Sequence, residues 1–242
     1  MLQISRNVFT VPTSHIYFDD RTKKGRFEAK IAHYTHRTRP SRQLQKKQTI
    51  HLILQHDESI FLNQIPEEIS EILFTHIIEQ YKTYTISDVS IEQLRQFQRF
   101  YNENQTSKDK LNRTDFNKLL LLCEKEGLVL TKIENSLGET ICYRVHIVDG
   151  HNVLLHYVVS AANLQLNIVE QANLLLCWEN LKMFKNLGYK TYDFGGLDRD
   201  GQLLRCGHIF GGEEVTVFSG YIANSVPLKV FAKLKNWRKK VN

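Results

Sequence analysis

The sequence predicts an α/β (α+β) fold built on a mixed, mainly antiparallel sheet. Three consecutive segments have the β-branched, alternating character of strands and are joined by short turns that contain glycine, at residues 128–133, 140–148 and 153–159. A long helical segment at 167–186 then leads to a further strand at 190–193. Because hairpins join antiparallel strands whereas helical crossovers join parallel ones, this order predicts strands of both directions with helices packed on them.

The elements before these strands are predicted from the same signals. Alternating and β-branched residues predict extended segments in the first third of the chain, at residues 15–18, 27–34, 49–55 and 84–86. Pro66 suits the first turn of a helix and opens one, and apolar residues at helical spacing predict two more at 91–101 and 115–126. Gly127 is placed to end the last of these helices.

The longest predicted helix spans residues 167–186. Asn167 is predicted as its N-cap, because Glu170 follows three residues later as in a capping box. Beyond it, residues 213–222 alternate in polarity and predict another strand, and Pro227 opens a final basic, amphipathic helix.

Composition limits the class of protein. The chain has 242 residues, of which 42% are hydrophobic, enough for a packed core. Its net charge of +6 is compatible with a polyanionic partner, a phosphorylated substrate or simple solubility. The four cysteines form no CxxC pair, so free thiols in a reducing cytosol are expected rather than a zinc ribbon or a disulfide scaffold. The first ten residues lack the apolar core of a signal peptide, and no apolar run has the length of a membrane span. These features predict a cytoplasmic protein.

Domain organisation is predicted from the charge of the N-terminal region. Residues 1–48 are polar and strongly basic, so they are predicted to form an N-terminal arm or extension, followed by one domain over 49–242. The basic stretch within residues 21–47 is a candidate clamp for a nucleotide-sugar diphosphate or for the tRNA backbone. The alternative for this stretch, a solvated extension without such a role, stays open.

Two glycine pairs, each preceded by phenylalanine, are the most informative motif. Tyr192-Asp193-Phe194-Gly195-Gly196 is followed by a second segment, Phe210-Gly211-Gly212-Glu213. Paired glycines after a buried segment are typical of positive φ or of a close backbone approach. The two pairs therefore predict two backbone turns that face one cleft.

The order of elements and five quoted segments resemble the GNAT superfamily of acyltransferases, and within it the FemX-like single-domain branch. The resemblance covers residues 49–240, and the segments that carry it are QTIHL at 48–52, VSIEQLRQF at 89–97, LLLCW at 174–178, YDFGG at 192–196 and FGG at 210–212. It implies a GNAT-like mixed, mainly antiparallel sheet with helices on both faces.

The resemblance also implies the chemistry. It implies an N-acyltransferase that transfers an acyl group from acyl-CoA or acetyl-CoA, without a metal, to the amine of a sugar nucleotide or other cell-envelope precursor. An aminoacyl-tRNA donor, as in FemX-like aminoacyl transferases, is the first alternative. A non-catalytic binding module that keeps a degenerate GNAT fold is the second. The sequence gives no indication of the oligomeric state.

Site residues follow from this layout. In GNAT proteins the strand before the long helix separates from the next strand, and its free amides bind the acyl carbonyl. The residues predicted to bind the donor are therefore Val158, Val159, Ser160 and Asn167. The residues predicted to shape the acceptor cleft are Tyr192, Phe194, Gly195, Gly196, Phe210, Gly211, Gly212 and Tyr221.

Three polar residues are the catalytic candidates. They are Asp193, Glu213 and His156, of which the histidine is placed to take a proton from the acceptor amine. His146 and His151 are weaker candidates for the same role. For each of these residues a purely structural role remains an alternative.

Overall fold

The computed structural model describes residues 1–8, 11–20, 30–55, 65–74, 81–106, 109–196, 201–223, 228 and 232. Within these ranges it forms ten strands and five helices. In chain order they are β1 Leu2–Val8, β2 Val11–Tyr17, β3 Ile31–Arg37, β4 Gln45–Ile53, α1 Glu67–Phe74, β5 Tyr81–Ile86, α2 Ile91–Glu103, α3 Arg113–Cys123, β6 Leu128–Asn135, β7 Thr140–Val148, β8 Asn152–Ser160, α4 Leu166–Asn186, β9 Thr191–Asp193, α5 Gly201–Ile209 and β10 Glu213–Ala223.

The chain divides into two compact units. The first consists of Met1–Thr49 with Glu214–Asn242, and the second of Ile50–Glu213. In the first unit β1 pairs antiparallel with β2, β2 parallel with β3, and β3 antiparallel with β10. Ile16, Tyr34 and Leu44 form part of its core. The described residues before position 49 are thus mostly in strands, although their composition predicted an arm.

Strand β1 was missed from the sequence because its alternation is short and interrupted. Ile4 is buried, whereas Gln3 and Ser5 on either side of it are exposed. Arg6 occupies the next inward position of the strand. An apolar residue there would have continued the alternation of apolar and polar residues that predicts a strand. The predicted domain boundary at residues 48 and 49 stays a prediction.

The second unit contains the predicted meander. Strands β5, β6, β7 and β8 pair antiparallel in sequence order, β8 pairs parallel with β9, and β9 pairs antiparallel with β4. The predicted fold class, an α/β (α+β) fold on a mixed and mainly antiparallel sheet, is therefore confirmed. The parallel pair is the one that flanks the α4 crossover, as the connection length requires.

Helices pack on both faces of this sheet. Trp178 of α4 stacks on Phe210, which follows α5, and both belong to the core that includes Leu52 of β4 and Leu155 of β8. On the opposite face Phe97 of α2 contacts aromatic side chains of the central strands, Tyr143 and Tyr157. Side chains alternate between faces along a strand, so each strand of the meander contributes to both cores.

Helix starts were predicted with mixed success. A capping box opens α2, where the Ser90 hydroxyl accepts from the Gln93 amide and Gln93 returns the bond. The prediction that Asn167 caps the long helix is wrong. Helix α4 begins one residue earlier, at Leu166, and its N-cap is Gln165, whose side chain makes no capping hydrogen bond. The first-turn amides therefore have no side-chain acceptor among the described residues.

Helix α5 lies immediately before the second glycine pair, in a segment where the sequence predicted no helix. Two glycines in nine residues lower its intrinsic helix propensity. The structure gives Gly207 a packing reason: a Cβ there would lie 2.9 Å from Ile50 Cδ1. Tertiary contact with β4 therefore overrides local preference.

Several predicted segments lie outside the described residues. They are the basic residues 21–29, the end of the helix begun at Pro66, and nearly all of the helix begun at Pro227. None of the helices described has both the length and the apolar character needed to cross a bilayer.

Candidate functional site

Strands β8 and β9 separate after three residue pairs. The pairs are Asn152 with Thr191, Val153 with Tyr192, and Leu154 with Asp193. Strand β9 ends there, and the next amide, of Phe194, donates to the Ile50 carbonyl of β4 at 3.0 Å. Strand β8 continues to Ser160, and no described strand pairs with this edge beyond Leu154. A wedge-shaped opening thus starts at Asp193.

The open edge of β8 presents backbone donors. The Ala161 amide donates to the Ile141 carbonyl of the neighbouring chain segment at 2.8 Å. Alternation along an antiparallel ladder then turns the Val159 amide toward β7, and the Val158 and Ser160 amides away from it. Two of the three β8 residues predicted to bind the donor therefore direct their amides to the opening. A bulge opposite Val145 and His146 leaves His156 outside the register.

A histidine and an aspartate meet where the strands part. His51 of β4 is the direct cross-strand partner of Asp193, and its Nε2 lies 3.1 Å from Asp193 Oδ2. The other carboxylate oxygen, Oδ1, accepts from the Gly195 amide at 2.9 Å. The Asp193 side chain is 4% exposed and the His51 side chain 16%. The carboxylate is thus fixed from two sides, while the imidazole reaches solvent.

This geometry gives His51 the arrangement of an oriented base. In the neutral ring, Nε2–H donates to the carboxylate and Nδ1 keeps its lone pair. Among the described residues Asp193 is the only hydrogen-bond partner of the His51 ring. The buried carboxylate holds the ring so that Nδ1 is the atom left to accept a proton. Proton transfer from a bound amine is the chemistry that this pair supports.

Both glycine-pair segments contact Ile50 of β4, the residue before His51. Gly195, Gly196 and Gly211 have φ values of 90°, 102° and 80°, in the left-handed region that favours glycine. Gly212 instead allows close packing, because a Cβ there would lie 2.4 Å from Ile50 Cγ2. The Phe194 amide is bonded to the carbonyl of the same Ile50. The two segments therefore come together on one residue of β4.

The aromatic residues of these segments are buried. Phe194 and Phe210 are 2% and 0% exposed and belong to the core on the α4 side of the sheet. Tyr192 is fully buried, and its hydroxyl lies 3.0 Å from Nε2 of His146, which also lies 3.4 Å from the Asn180 amide nitrogen. Tyr192 therefore points to the face opposite Asp193, as its place one residue earlier requires.

The remaining candidates are His156 and Glu213 for catalysis and Tyr221 for the acceptor cleft. His156 is half-buried, and its ring packs against Tyr157 at 4.4 Å. Glu213 is exposed at the start of β10 and makes no ion pair with a described residue. Tyr221 belongs to the first unit, where its ring lies 4.3 Å from that of His33 and burial raises the pKa of its hydroxyl.

A cavity of about 170 Å³ lies beside the N-terminal half of α4. It is lined by Ile69, Asn167, Glu170, Gln171, Asn173, Leu174, Arg205, Cys206 and Ile209. The uncapped amides of α4 and the Arg205 guanidinium favour an anionic group here, whereas Glu170 opposes one. One amide of the preceding loop is already used, since Ala162 donates to Asn104 Oδ1 at 2.8 Å.

The sequence predicted Asp193 as a candidate but did not indicate His51, its partner in the structure. The neighbours of His51, Ile50 and Leu52, are buried, so the alternation along the strand predicted only that this histidine points to the other face. Its role depends on a partner 142 residues away, which no local pattern reveals. Within the described ranges, no group of three His, Cys, Asp or Glu side chains is arranged to hold a metal ion.

Comparison with known proteins establishes the fold of this chain. No family model and no curated protein matches the sequence. Among solved structures, FemX is similar with a TM-score of 0.57 and 12% identity, over 84% of this chain and 68% of that chain.

Two further structures are similar to the same extent. One is the C-terminal domain (DUF2156) of a putative lysylphosphatidylglycerol synthetase from Agrobacterium fabrum, with a TM-score of 0.55 and 6% identity, over 84% of this chain and 71% of that one. The other is L-PGS from Bacillus licheniformis, with a TM-score of 0.52 and 9% identity, over 85% and 72%. At these identities the likeness establishes the architecture alone.

Proposed function

We propose that this chain is a transferase of the acyl or aminoacyl type that acylates an amine, with His51 as the base and Asp193 as the residue that orients it. The observation that carries the proposal is the 3.1 Å contact between these side chains at the point where β8 and β9 part. An oriented imidazole, a carboxylate and free strand amides beside one opening are the groups that acyl transfer needs.

The steps follow from the positions of these groups. The acceptor enters as an ammonium, and His51 Nδ1 takes a proton from it, so that the free amine attacks the acyl carbonyl. The carbonyl oxygen becomes negative as the C–N bond forms, and the Val158 and Ser160 amides stabilise it as donors. The intermediate collapses with loss of the leaving group, which receives the proton from the new ammonium through His51 or water.

For the donor we propose acyl-CoA or acetyl-CoA. Support comes from the uncapped amides at the start of α4, where Asn167 lines the adjacent cavity and a pyrophosphate would meet the positive end of the helix. The acceptor that we propose is an amine on a sugar nucleotide or another cell-envelope precursor, in a FemX-like cytoplasmic enzyme. The net charge of +6 supports a phosphorylated acceptor.

An aminoacyl-tRNA donor is the second candidate. It is favoured by the names of the solved structures with the similar fold, which are FemX and two proteins described as lysylphosphatidylglycerol synthetases or L-PGS. A lysyl group is an aminoacyl group, so the same His51 chemistry would serve with an ester rather than a thioester as the activated carbonyl. The third candidate is a binding module that retains the cleft without turnover.

The test is transfer of a labelled acyl group to a panel of amines, with His51→Gln and Asp193→Asn beside the unaltered protein. We expect each substitution to lower kcat by about 10²–10⁴, the usual contribution of general base catalysis. Calorimetry should show donor affinity nearly unchanged, because neither residue is proposed to bind the donor. His151→Gln is the matched control, since His151 is exposed in the β7–β8 turn and should retain full activity.

The donors are distinguished by two treatments of the same assay. Activity that ends when CoA thioesters are removed supports acyl-CoA, and activity that survives this but ends with ribonuclease supports aminoacyl-tRNA. Full turnover by His51→Gln would contradict the proposed base. Binding of donors without any product, unchanged in both variants, would favour the non-catalytic module.

A further inference from the structure

The buried face of α4 is apolar apart from two asparagines, Asn173 and Asn180. Asn173 is 6% exposed, so its side-chain amide depends on hydrogen-bond partners within the protein. A leucine of similar size at this position would bury more apolar surface and leave no polar group to satisfy. The presence of an asparagine is therefore explained by the bonds that it makes rather than by packing.

Three polar groups of Asn173 bond to the neighbouring strands. Its Nδ2 donates to Ser160 Oγ of β8 at 2.9 Å, and its Oδ1 accepts from Cys142 Sγ of β7 at 2.9 Å. Its backbone carbonyl accepts from Nη2 of Arg144, also on β7, at 2.8 Å. Cys142 and Arg144 are both 0% exposed, so these bonds lie away from water, where each is stronger than at the surface. Asn173 therefore ties α4 to β7 and β8 together.

These bonds reach β8 at the residues whose amides face the opening. In the ladder between β7 and β8, Cys142 is the direct partner of Ser160. Arg144 is the direct partner of Val158. The Val158 and Ser160 amides point away from β7, on the edge that no described strand pairs with beyond Leu154. The open end of β8 is thus held from β7 and from α4.

We propose that Asn173 is a positioning residue, which holds the open end of β8 so that the Val158 and Ser160 amides meet the acyl carbonyl. This inference rests on the proposed function, in which these two amides stabilise the negative oxygen. Such donors act only when they lie within hydrogen-bond distance of the place where the charge develops. The ladder fixes β8 within the sheet, and the bond from Nδ2 to Ser160 Oγ fixes it from the α4 side, roughly perpendicular to the sheet.

The position of Asn173 relative to the cavity beside α4 supports this role. Asn173 lines that cavity, which borders the proposed donor site, and its Nδ2 contacts Ser160. The same side chain therefore lies between the donor and the amides that would act on the donor's carbonyl. Asn180 provides the contrast, because it lies 3.4 Å from Nε2 of His146 and does not line the cavity.

The first measurement is exchange of backbone amides with deuterium, followed by NMR in the full chain without any substrate. The Val159 amide faces β7, and the Ala161 amide donates to the Ile141 carbonyl at 2.8 Å, so both report on the end of β8. Asn173→Leu and Ser160→Ala should each speed the exchange of these two amides by about tenfold or more. Ser160→Thr keeps the Oγ acceptor and should speed it much less.

The second measurement is transfer of a labelled acyl group by the same variants. Asn173→Leu and Ser160→Ala should each lower kcat by about 10–100-fold, because the oxyanion donors are misplaced. Ser160→Ala should leave the calorimetric Kd of the donor nearly unchanged. The double variant should be no slower than the slower single variant, since both changes remove one bond.

Asn102→Leu is the matched control. Asn102 ties α2 to Leu111 through two side-chain bonds, at 2.7 and 3.2 Å, so its loss should lower Tm. It should leave kcat and the exchange at the end of β8 unchanged. This control separates loss of stability from loss of positioning.

The two measurements also separate this inference from the proposed function. Unchanged exchange of both amides in both variants would overturn the role of Asn173, and so would faster exchange with full kcat. If the unaltered protein transfers no acyl group to any amine, the proposed function fails, and the exchange rates still decide whether Asn173 holds the end of β8. If Asn173→Leu does not fold, Ser160→Ala removes the same bond between α4 and β8 and keeps the test decisive.

Discussion

The contact between Gly212 and Ile50 predicts a sharp steric penalty for alanine. A Cβ on Gly212 would lie 2.4 Å from Ile50 Cγ2 and 2.9 Å from the Gly207 carbonyl oxygen. Ordinary contacts begin near 3.4 Å, so the methyl group must displace Ile50 Cγ2 by about 1 Å. Ile50 is 0% exposed and β-branched, so turning Cγ2 away about χ1 would force a γ-carbon into other packed atoms at an unfavourable rotamer.

We therefore expect Gly212→Ala to cost about 2–3 kcal/mol of unfolding free energy, at the upper end for overpacking in a core. For a chain of this length that lowers Tm by about 4–12 °C. Thermal unfolding followed by circular dichroism measures the shift. Gly150→Ala is the control, because a Cβ there meets nothing within 4 Å, and its Tm should match that of the unaltered protein.

Two Ile50 backgrounds test whether the penalty has this cause. Ile50→Ala removes Cγ2, so Gly212→Ala should cost less in that background, and the difference is the coupling energy of the pair. Ile50→Val keeps both γ-carbons and should leave the penalty intact. An unshifted Tm for Gly212→Ala, or an equal penalty in the Ala and Val backgrounds, would refute the steric reasoning.

Two other outcomes are expected. Burial lowers the pKa of His146 to about 3, below its unfolded value of about 6.5. The neutral ring therefore contributes its whole stabilisation above pH 6.5. The free energy of unfolding then falls by about 1.4 kcal/mol per pH unit as the pH drops toward 3. Urea unfolding at pH 6.5, 5.5 and 4.5 should show a smaller slope for His146→Gln, and equal slopes would contradict this origin. Gly211→Val should abolish acyl transfer while the fold largely survives. Gly138→Val is the control and should retain transfer. Gly138 has a φ of 78°, close to the 80° of Gly211, but it lies in the β6–β7 turn.

Local signals predicted the elements whose causes are local. The Asp149-Gly150 turn and the alternation on either side of it gave β7 and β8, and the periodicity of α4 gave the crossover and hence the mixed sheet. Asp193 was predicted as a site residue because it precedes Phe194 and the first glycine pair. In each case the determining residues are neighbours in sequence.

The features that escaped prediction depend on distant parts of the chain. His51 acquires its role from Asp193, and Gly207 is tolerated in α5 because it packs on Ile50. Strand β3 forms its ladder with β10, whose residues follow it by more than 180 positions. A single sequence carries no record of such pairings, so the N-terminal strands were predicted only in part and His51 was not among the site candidates.

Consecutive side chains of β4 project from opposite faces of the sheet. Ile50 is held by the glycine segments on the α4 side, while the imidazole of the next residue emerges on the other. One peptide unit thus links the packing of Ile50 to the position of the proposed base. Varying the side-chain volume at position 50 is therefore a way to move the His51 ring while both residues of the His51–Asp193 pair are kept.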